Sequence, residues 1–196
     1  MNVSYPRAEG SVELWLRVVN AMVAPIAGAG GSMISYCAGD GPEKHLPIAQ
    51  KTFVDSDPQR PMPDTYGECI RKDVLDSDVR LAYRAYDLAI CSDGIEHLPR
   101  QKAIKLLERM QQVATKYIIV FTPLGDLDVK DFALEASDYD RRHNHHSGWN
   151  PEDVEFLGWD TFTFPRWHKD WAGAWFGWHG ASDEDWERVT EALKDL

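Results

Sequence analysis

The stretch Ser32–Met33–Ile34–Ser35–Tyr36–Cys37–Ala38–Gly39–Asp40–Gly41–Pro42 is an apolar, strand-like run that ends in a Gly-Asp-Gly turn. Glycines allow the backbone to turn sharply there and to approach a ligand, because no Cβ stands in the way. A second apolar run, Phe53–Val54, ends in acid at Asp55. A glycine turn after one strand and a carboxylate after the next are typical of nucleoside-binding α/β units, in which the carboxylate accepts hydrogen bonds from ribose hydroxyls.

Composition narrows the class of protein. The chain has 196 residues with 43% hydrophobic and 27% charged residues, which predicts one globular domain over 1–196 with a sizeable core. No apolar run approaches the roughly 18 residues of a membrane span, and the N-terminus does not resemble a signal peptide. Cysteines within apolar runs indicate reduced thiols in a cytoplasmic protein (Cys37, Cys69 and Cys91). The net charge of −11 disfavours nucleic-acid and membrane partners.

Strands and helices alternate along the first two thirds of the chain. Ser11 is the predicted cap of a helix over 12–23, and a linker to residue 31 follows it. Five strands are then expected near 32–37, 52–54, 69–71, 86–91 and 117–121. A helix from Arg100 to about Lys116 separates the last two, with a predicted inner stripe of Ile104, Leu107, Met110, Gln111 and Ala114. This alternation predicts a Rossmann-like, doubly wound parallel sheet with helices on both faces.

The last third of the chain begins with a polar connection. Residues 126–148 have only a weak helical signal and are interpreted as a lid or substrate loop over the carboxyl ends of the strands. Thr161–Phe164 and Ala174–Trp178 are the predicted sixth and seventh strands, and a short hairpin between them makes the seventh antiparallel. The tryptophans from Trp159 onward are interpreted as core, and Ser182 is the predicted cap of a C-terminal helix.

Taken in order, these segments resemble class I S-adenosylmethionine-dependent methyltransferases of the small, type-11-like kind. The resemblance covers about residues 32–160. It depends on the glycine loop, the acids after the second and third strands, and two later segments, 93–98 and 147–153. It implies a seven-stranded sheet with an antiparallel last strand. It also implies methyl transfer from S-adenosylmethionine, with S-adenosylhomocysteine as the product.

The resemblance also implies roles for individual residues. Asp55 would bind the ribose and Asp73 and Val74 would flank the adenine. The glycine loop and Ser92–Asp93 would line the methionine part. The complete set of expected cofactor residues is Cys37, Ala38, Gly39, Asp40, Gly41, Asp55, Ser56, Asp73, Val74, Ser92 and Asp93. The expected acceptor is a small molecule or a saccharide with a hydroxyl group, contacted by His97, Arg142, His145 and His146.

Two departures leave an alternative open. Family members usually carry an acid at the position of Ser35 and a glycine at that of Cys37. The alternative function is therefore a binding or scaffold protein that kept the fold and lost turnover.

His97 has two candidate roles. It is a candidate general base, since histidine titrates near neutral pH. No metal is expected in the main interpretation. The alternative is that Asp93, Glu96 and His97, joined by His143, His145 or His146, hold a divalent metal beside a substrate oxygen.

Overall fold

The computed structural model describes residues 1–28, 30–58, 61–76, 85–125, 145–167 and 172–196. Its strands are β1 (Asn2–Ser4), β2 (Ser32–Tyr36), β3 (Gln50–Asp55), β4 (Glu68–Arg71), β5 (Tyr86–Ser92), β6 (Ala114–Pro123), β7 (Asp160–Phe164) and β8 (Ala174–His179). Its α-helices are α1 (Val12–Val23), α2 (Arg100–Val113), α3 (Glu152–Glu155) and α4 (Asp183–Ala192). Short 3₁₀ turns at Pro42–His45 and Ile95–His97 follow β2 and β5.

Within these residues one sheet holds eight strands, in the order β1-β7-β8-β6-β5-β2-β3-β4. All seven predicted strands are present, and β8 is antiparallel to both of its neighbours, as predicted. The eighth, β1, was not predicted; it pairs in parallel with the edge strand β7. The central order β3-β2-β5 places the carboxyl ends of these parallel strands side by side, because Tyr36 is in register with both Val54 and Cys91.

Helices cover both faces of the sheet, as predicted. On one face α1 and α4 bury Trp15, Val18, Met22 and Trp186 against alternate strand residues such as Met33 and Ile90. On the other face α2 and α3 pack against the intervening residues, among them Ile34 and Ala89. The division follows from the strand geometry, in which successive side chains point to opposite faces.

Both predicted helix caps are present. Ser11 Oγ accepts a hydrogen bond of 3.0 Å from Leu14 N at the start of α1. Ser182 and Asp185 form a reciprocal capping box at the start of α4. No helix in the described part of the chain combines the length and apolar character needed to cross a bilayer.

Leu107 and Met110 of the predicted inner stripe of α2 are buried, but the prediction was wrong for Ile104 and Gln111, which are exposed, and at the C-terminal end of the helix. The buried face consists of Ala103, Leu106, Leu107, Met110 and Val113, whereas Ile104 is 44% exposed. Ala114 does not continue the helix but begins β6, where it pairs with Tyr86 of β5. Pairing with the sheet therefore overrides the helical preference of residues 114–116.

Candidate functional site

The glycine loop leaves β2 in a left-handed conformation. Cys37 has a φ of 55° and Gly39 a φ of 46°, and the turn closes with Gly41 N donating 3.0 Å to Ala38 O. Side chains other than glycine rarely adopt this region of φ. The structure thus explains why the family pattern has glycine at the position of Cys37, where the β-carbon strains the backbone.

The strain at Cys37 predicts that the Cys37→Gly variant is more stable than the Cys37→Ala variant. Both Cys37→Gly and Cys37→Ala remove the sulfur, but only glycine relieves the left-handed strain. We expect Cys37→Gly to have a free energy of unfolding about 1 kcal/mol above that of Cys37→Ala. Urea denaturation of the pair measures this difference. Equal stabilities, or a more stable alanine variant, would show that the position is unstrained.

Asp55 connects the two strand ends that carry the glycine loop and the acid. Its Oδ2 accepts 2.9 Å from Gly39 N, and its Oδ1 accepts 2.8 Å from Asp57 N. The carboxylate is 4% exposed. The acid predicted to bind ribose therefore also fixes the shape of the glycine loop, and its contact with a ribose remains a prediction.

Two thiols lie beneath the loop, packed against Gly94. A Cβ added to Gly94 would lie 2.7 Å from Cys37 Cβ and 2.6 Å from Cys91 Sγ, so the site requires glycine. A hydrogen bond with Cys37 and complete burial raise the pKa of the Cys91 thiol, and the nearby carboxylates of Glu96 and Glu43 raise it further. The Cys91 thiol is thus held as a neutral packing group.

Two buried hydroxyls lie at the same strand ends. Ser35 is fully buried on β2 and Ser92 ends β5, and both side chains belong to the same face of the sheet. Among the described residues neither Oγ has a hydrogen-bond partner. Buried polar groups are normally paired, so hydroxyls of this kind at a strand end fit a site that a polar ligand completes.

Glu43 is a candidate site residue that the sequence interpretation missed. It is 2% exposed, and a Cβ on Gly41 would come within 2.0 Å of its Oε2. The carboxylate therefore lies directly against the glycine loop. The only signal in the sequence was an acid immediately after Gly41–Pro42.

The other predicted cofactor residues lie at the rim. Asp40 is exposed and forms an ion pair of 2.6 Å with Lys44, and Ser56 is exposed after β3. Asp73 accepts 2.9 Å from Leu75 N, which is a turn contact, while Val74 is buried. Their predicted contacts with the adenosine remain predictions.

The residues after β5 form a compact cluster with a residue from far along the chain. One ligand atom each of Glu96, His97 and His145 lies within 4.8 Å of the others. Glu96 Oε1 is 3.9 Å from His97 Nε2, and the two imidazole rings meet edge-on with centroids 5.1 Å apart. Burial, and to a smaller extent His146, lower the pKa of His145, which favours its neutral form.

This arrangement differs from the predicted ligand set, because Asp93 does not belong to the cluster. Its φ of 46° and its N–H bond to Phe121 O place it before the 3₁₀ turn that carries Glu96 and His97. His146 is exposed beside the cluster. Arg142, His143 and most of the predicted lid lie outside the described residues.

A clasp, defined as residues 145–149, holds His145 in place. His146 N donates 2.7 Å to Glu96 O, and Ser147 Oγ donates 2.9 Å to Leu98 O. Trp149 is buried and donates 2.8 Å to Ser147 Oγ, while Arg100 stacks 4.3 Å above its ring. At the base, Gly125 N donates 2.8 Å to Trp149 O. The clasp therefore holds His145 and His146 beside the 3₁₀ turn that carries Glu96 and His97.

Comparison with solved structures identifies the fold. Magnesium protoporphyrin IX methyltransferase from Synechocystis PCC 6803, with bound SAH, matches with a TM-score of 0.59 at 12% identity, covering 85% of this chain and 81% of that one. A SAM-dependent methyltransferase from Archaeoglobus fulgidus matches with a TM-score of 0.53 at 20% identity, covering 79% and 72%. A protein from Rhodobacter sphaeroides described as a putative Zn-dependent alcohol dehydrogenase matches with a TM-score of 0.56 at 12% identity, covering 79% of each chain.

No family model and no curated protein matches the chain. The structural matches show that it has the class I methyltransferase fold, which confirms the predicted architecture. At identities of 20% or less they establish the fold alone, and the chemistry must be argued from the site.

Proposed function

We propose that the chain is an S-adenosylmethionine-dependent methyltransferase that acts on a hydroxyl group of a small molecule or saccharide. The observation that carries this proposal is the bond from Gly39 N to Asp55, which joins the left-handed loop to the acid of the neighbouring strand. In open α/β sheets ligands bind outside the carboxyl ends of the strands, where both groups lie.

The residues present fit the cofactor. Asp55 accepts hydrogen bonds from Gly39 N and Asp57 N at the carboxyl end of β3, which is where a ribose-binding carboxylate is expected in such sheets. The buried hydroxyls of Ser35 and Ser92 have no partner among the described residues and suit the polar end of the methionine part. Asp73 and Val74 would flank the adenine.

Glu43 supplies the negative charge that the family pattern has at the position of Ser35. Its carboxylate lies against Gly41 of the loop expected to contact the methionine part. A buried carboxylate interacts strongly with a cationic ammonium group because little water screens the pair. The negative charge that is missing at Ser35 is thus supplied by Glu43, in the 3₁₀ turn that follows β2.

This role for Glu43 predicts a loss of cofactor affinity. We expect Glu43→Gln, which keeps the shape and removes the charge, to raise the dissociation constant of S-adenosylmethionine about tenfold. Isothermal titration calorimetry measures this dissociation constant. Glu187→Gln, on the exposed surface of α4, is the matched control and should leave the constant unchanged. Equal affinity for Glu43→Gln and wild type would remove Glu43 from the site.

The chemistry requires little beyond orientation and a place for one proton. When bound, S-adenosylmethionine would supply a methyl group on a positively charged sulfur. An acceptor oxygen would attack the methyl carbon in line with the carbon–sulfur bond, and S-adenosylhomocysteine would leave. The chain holds the acceptor in that line and excludes water. The hydroxyl proton leaves toward the cluster of Glu96, His97 and His145, which is the titratable group at the end of β5.

Ligand binding and turnover test the proposal separately. Calorimetry and thermal shift with S-adenosylhomocysteine should show one site, whereas NAD⁺ at the same concentration should show none. Incubation with methyl-labelled cofactor and a panel of phenols, alcohols and sugars should then label a hydroxyl. Absence of binding at millimolar S-adenosylhomocysteine would overturn the proposal, and binding without any transfer would favour the non-catalytic alternative.

A further inference from the structure

We propose that Glu96, His97 and His145 bind one divalent transition-metal ion beside the acceptor. The ion-binding claim stands on the cluster itself, and its role toward the acceptor rests on the proposed function. The ligand atoms, one from each residue, lie within 4.8 Å of one another. Two imidazoles and one carboxylate form the ligand set of many catalytic zinc and non-haem iron sites.

Glu96 is positioned as a ligand rather than as a surface acid. It is 3% exposed, and Thr122 Oγ1 donates 2.9 Å to its Oε2. This bond orients the carboxylate and leaves Oε1 on the side of His97, at 3.9 Å from Nε2. That distance is too long for a hydrogen bond between these two atoms and is close to the spacing of two ligand atoms around one ion.

The two histidines are held to the same frame. His97 follows Glu96 on the 3₁₀ turn, and His145 is brought back by the clasp through the bond from His146 N to Glu96 O. Around a tetrahedral ion with bonds of about 2.1 Å, ligand atoms lie about 3.4 Å apart. Because the ligand atoms lie within 4.8 Å of one another, shifts of about 1 Å bring them to this spacing.

The ligand types select the ion. Mg²⁺, Ca²⁺ and Mn²⁺ prefer oxygen ligands, whereas imidazole suits Zn²⁺, Fe²⁺, Ni²⁺ and Cu²⁺, and the affinity of Co²⁺ lies between those of Fe²⁺ and Ni²⁺. Three protein ligands leave open positions, and an acceptor oxygen is the expected occupant. The ion would lower the pKa of that hydroxyl. With the metal bound, His97 would be a ligand, so the proton would leave to solvent and not to the cluster, which receives it only in the metal-free protein. Acceptors with two adjacent oxygens, such as vicinal diols, suit the open positions best.

Co²⁺ titration of the metal-free full-length protein tests the site. Wild type should bind one equivalent and develop visible d–d absorption with imidazole ligands. Glu96→Gln, His97→Ala and His145→Ala should each raise the Co²⁺ dissociation constant at least tenfold. His45→Ala removes an exposed imidazole elsewhere and should bind like wild type. Circular dichroism and the melting temperature confirm that each variant is folded.

Two results would overturn the proposal. One is the absence of saturable binding at one equivalent; the other is binding that the three ligand variants leave unchanged, which would indicate surface histidines. If a ligand variant does not fold, the double variant His97→Gln and His145→Gln, which keeps Glu96 and its bond to Thr122, provides the measurement.

The experiment also separates this site from the cofactor site. Glu43→Gln should weaken S-adenosylhomocysteine binding and leave Co²⁺ binding unchanged. His145→Ala should do the reverse. If wild type does not bind S-adenosylhomocysteine, the proposed function is refuted. Co²⁺ binding by the same protein would still support the metal site.

Discussion

Asp55→Ala is expected to lower the free energy of unfolding by about 3 kcal/mol and the affinity for S-adenosylhomocysteine about 100-fold or more. The stability loss arises because Gly39 N and Asp57 N both lose their acceptor at a carboxylate that is 4% exposed. Each unsatisfied buried group costs about 1–3 kcal/mol. The affinity loss combines the missing ribose contact with a loosened loop. Urea denaturation and calorimetry measure the two effects.

Two variants calibrate this result. Asp55→Asn keeps one acceptor oxygen and should lie between wild type and Asp55→Ala. Asp40→Ala removes an exposed acid from the same loop, where it forms a surface ion pair with Lys44, and should change stability by less than about 0.5 kcal/mol. An Asp55→Ala protein as stable as Asp40→Ala would contradict the structural role assigned to this carboxylate.

Gly94→Ala has the second large expected effect. The added Cβ would lie 2.7 Å from Cys37 Cβ and 2.6 Å from Cys91 Sγ, so the loop or the thiols must move. The φ of Gly94 is −135°, so backbone strain adds nothing. We expect a loss of about 2–3 kcal/mol in the free energy of unfolding. Affinity for S-adenosylhomocysteine should fall more than about tenfold because Cys37 belongs to the glycine loop that we propose to bind the cofactor.

A double-mutant cycle shows whether the clash is the cause. Cys37→Gly removes one of the two contacted side chains, so the double variant Cys37→Gly with Gly94→Ala should recover at least about 1 kcal/mol relative to additivity. Additive losses would mean that Gly94 is required for a reason other than its contact with Cys37.

Much of the fold was accessible from the sequence because it depends on local patterns. Apolar runs ending in turns located seven strands, and the caps at Ser11 and Ser182 located two helices. The short edge strand β1 carries no apolar pattern and exists only because β7 offers an unpaired edge. Two helical stripes were possible on α2, and packing on the sheet selected the one with Ala103 and Val113.

The candidate site was less predictable because its parts come together over long distances. The glycine loop and the acids follow strand ends, so the sequence placed them. His145 reaches His97 only through the clasp, and three histidines had been equal candidates for that place. Glu43 was not predicted because it lies in a 3₁₀ turn that is buried by packing against α1. No local sequence pattern indicates that contact.

The bond between Gly125 and Trp149 has a consequence for how this protein can diversify. Because the connection begins and ends at paired residues, it is closed at its base independently of its own content. Doubling the length of a flexible loop costs only about 0.6 kcal/mol. We therefore expect sequences of other lengths to be accepted between Gly125 and His145, while the clasp, the sheet and the glycine loop stay intact.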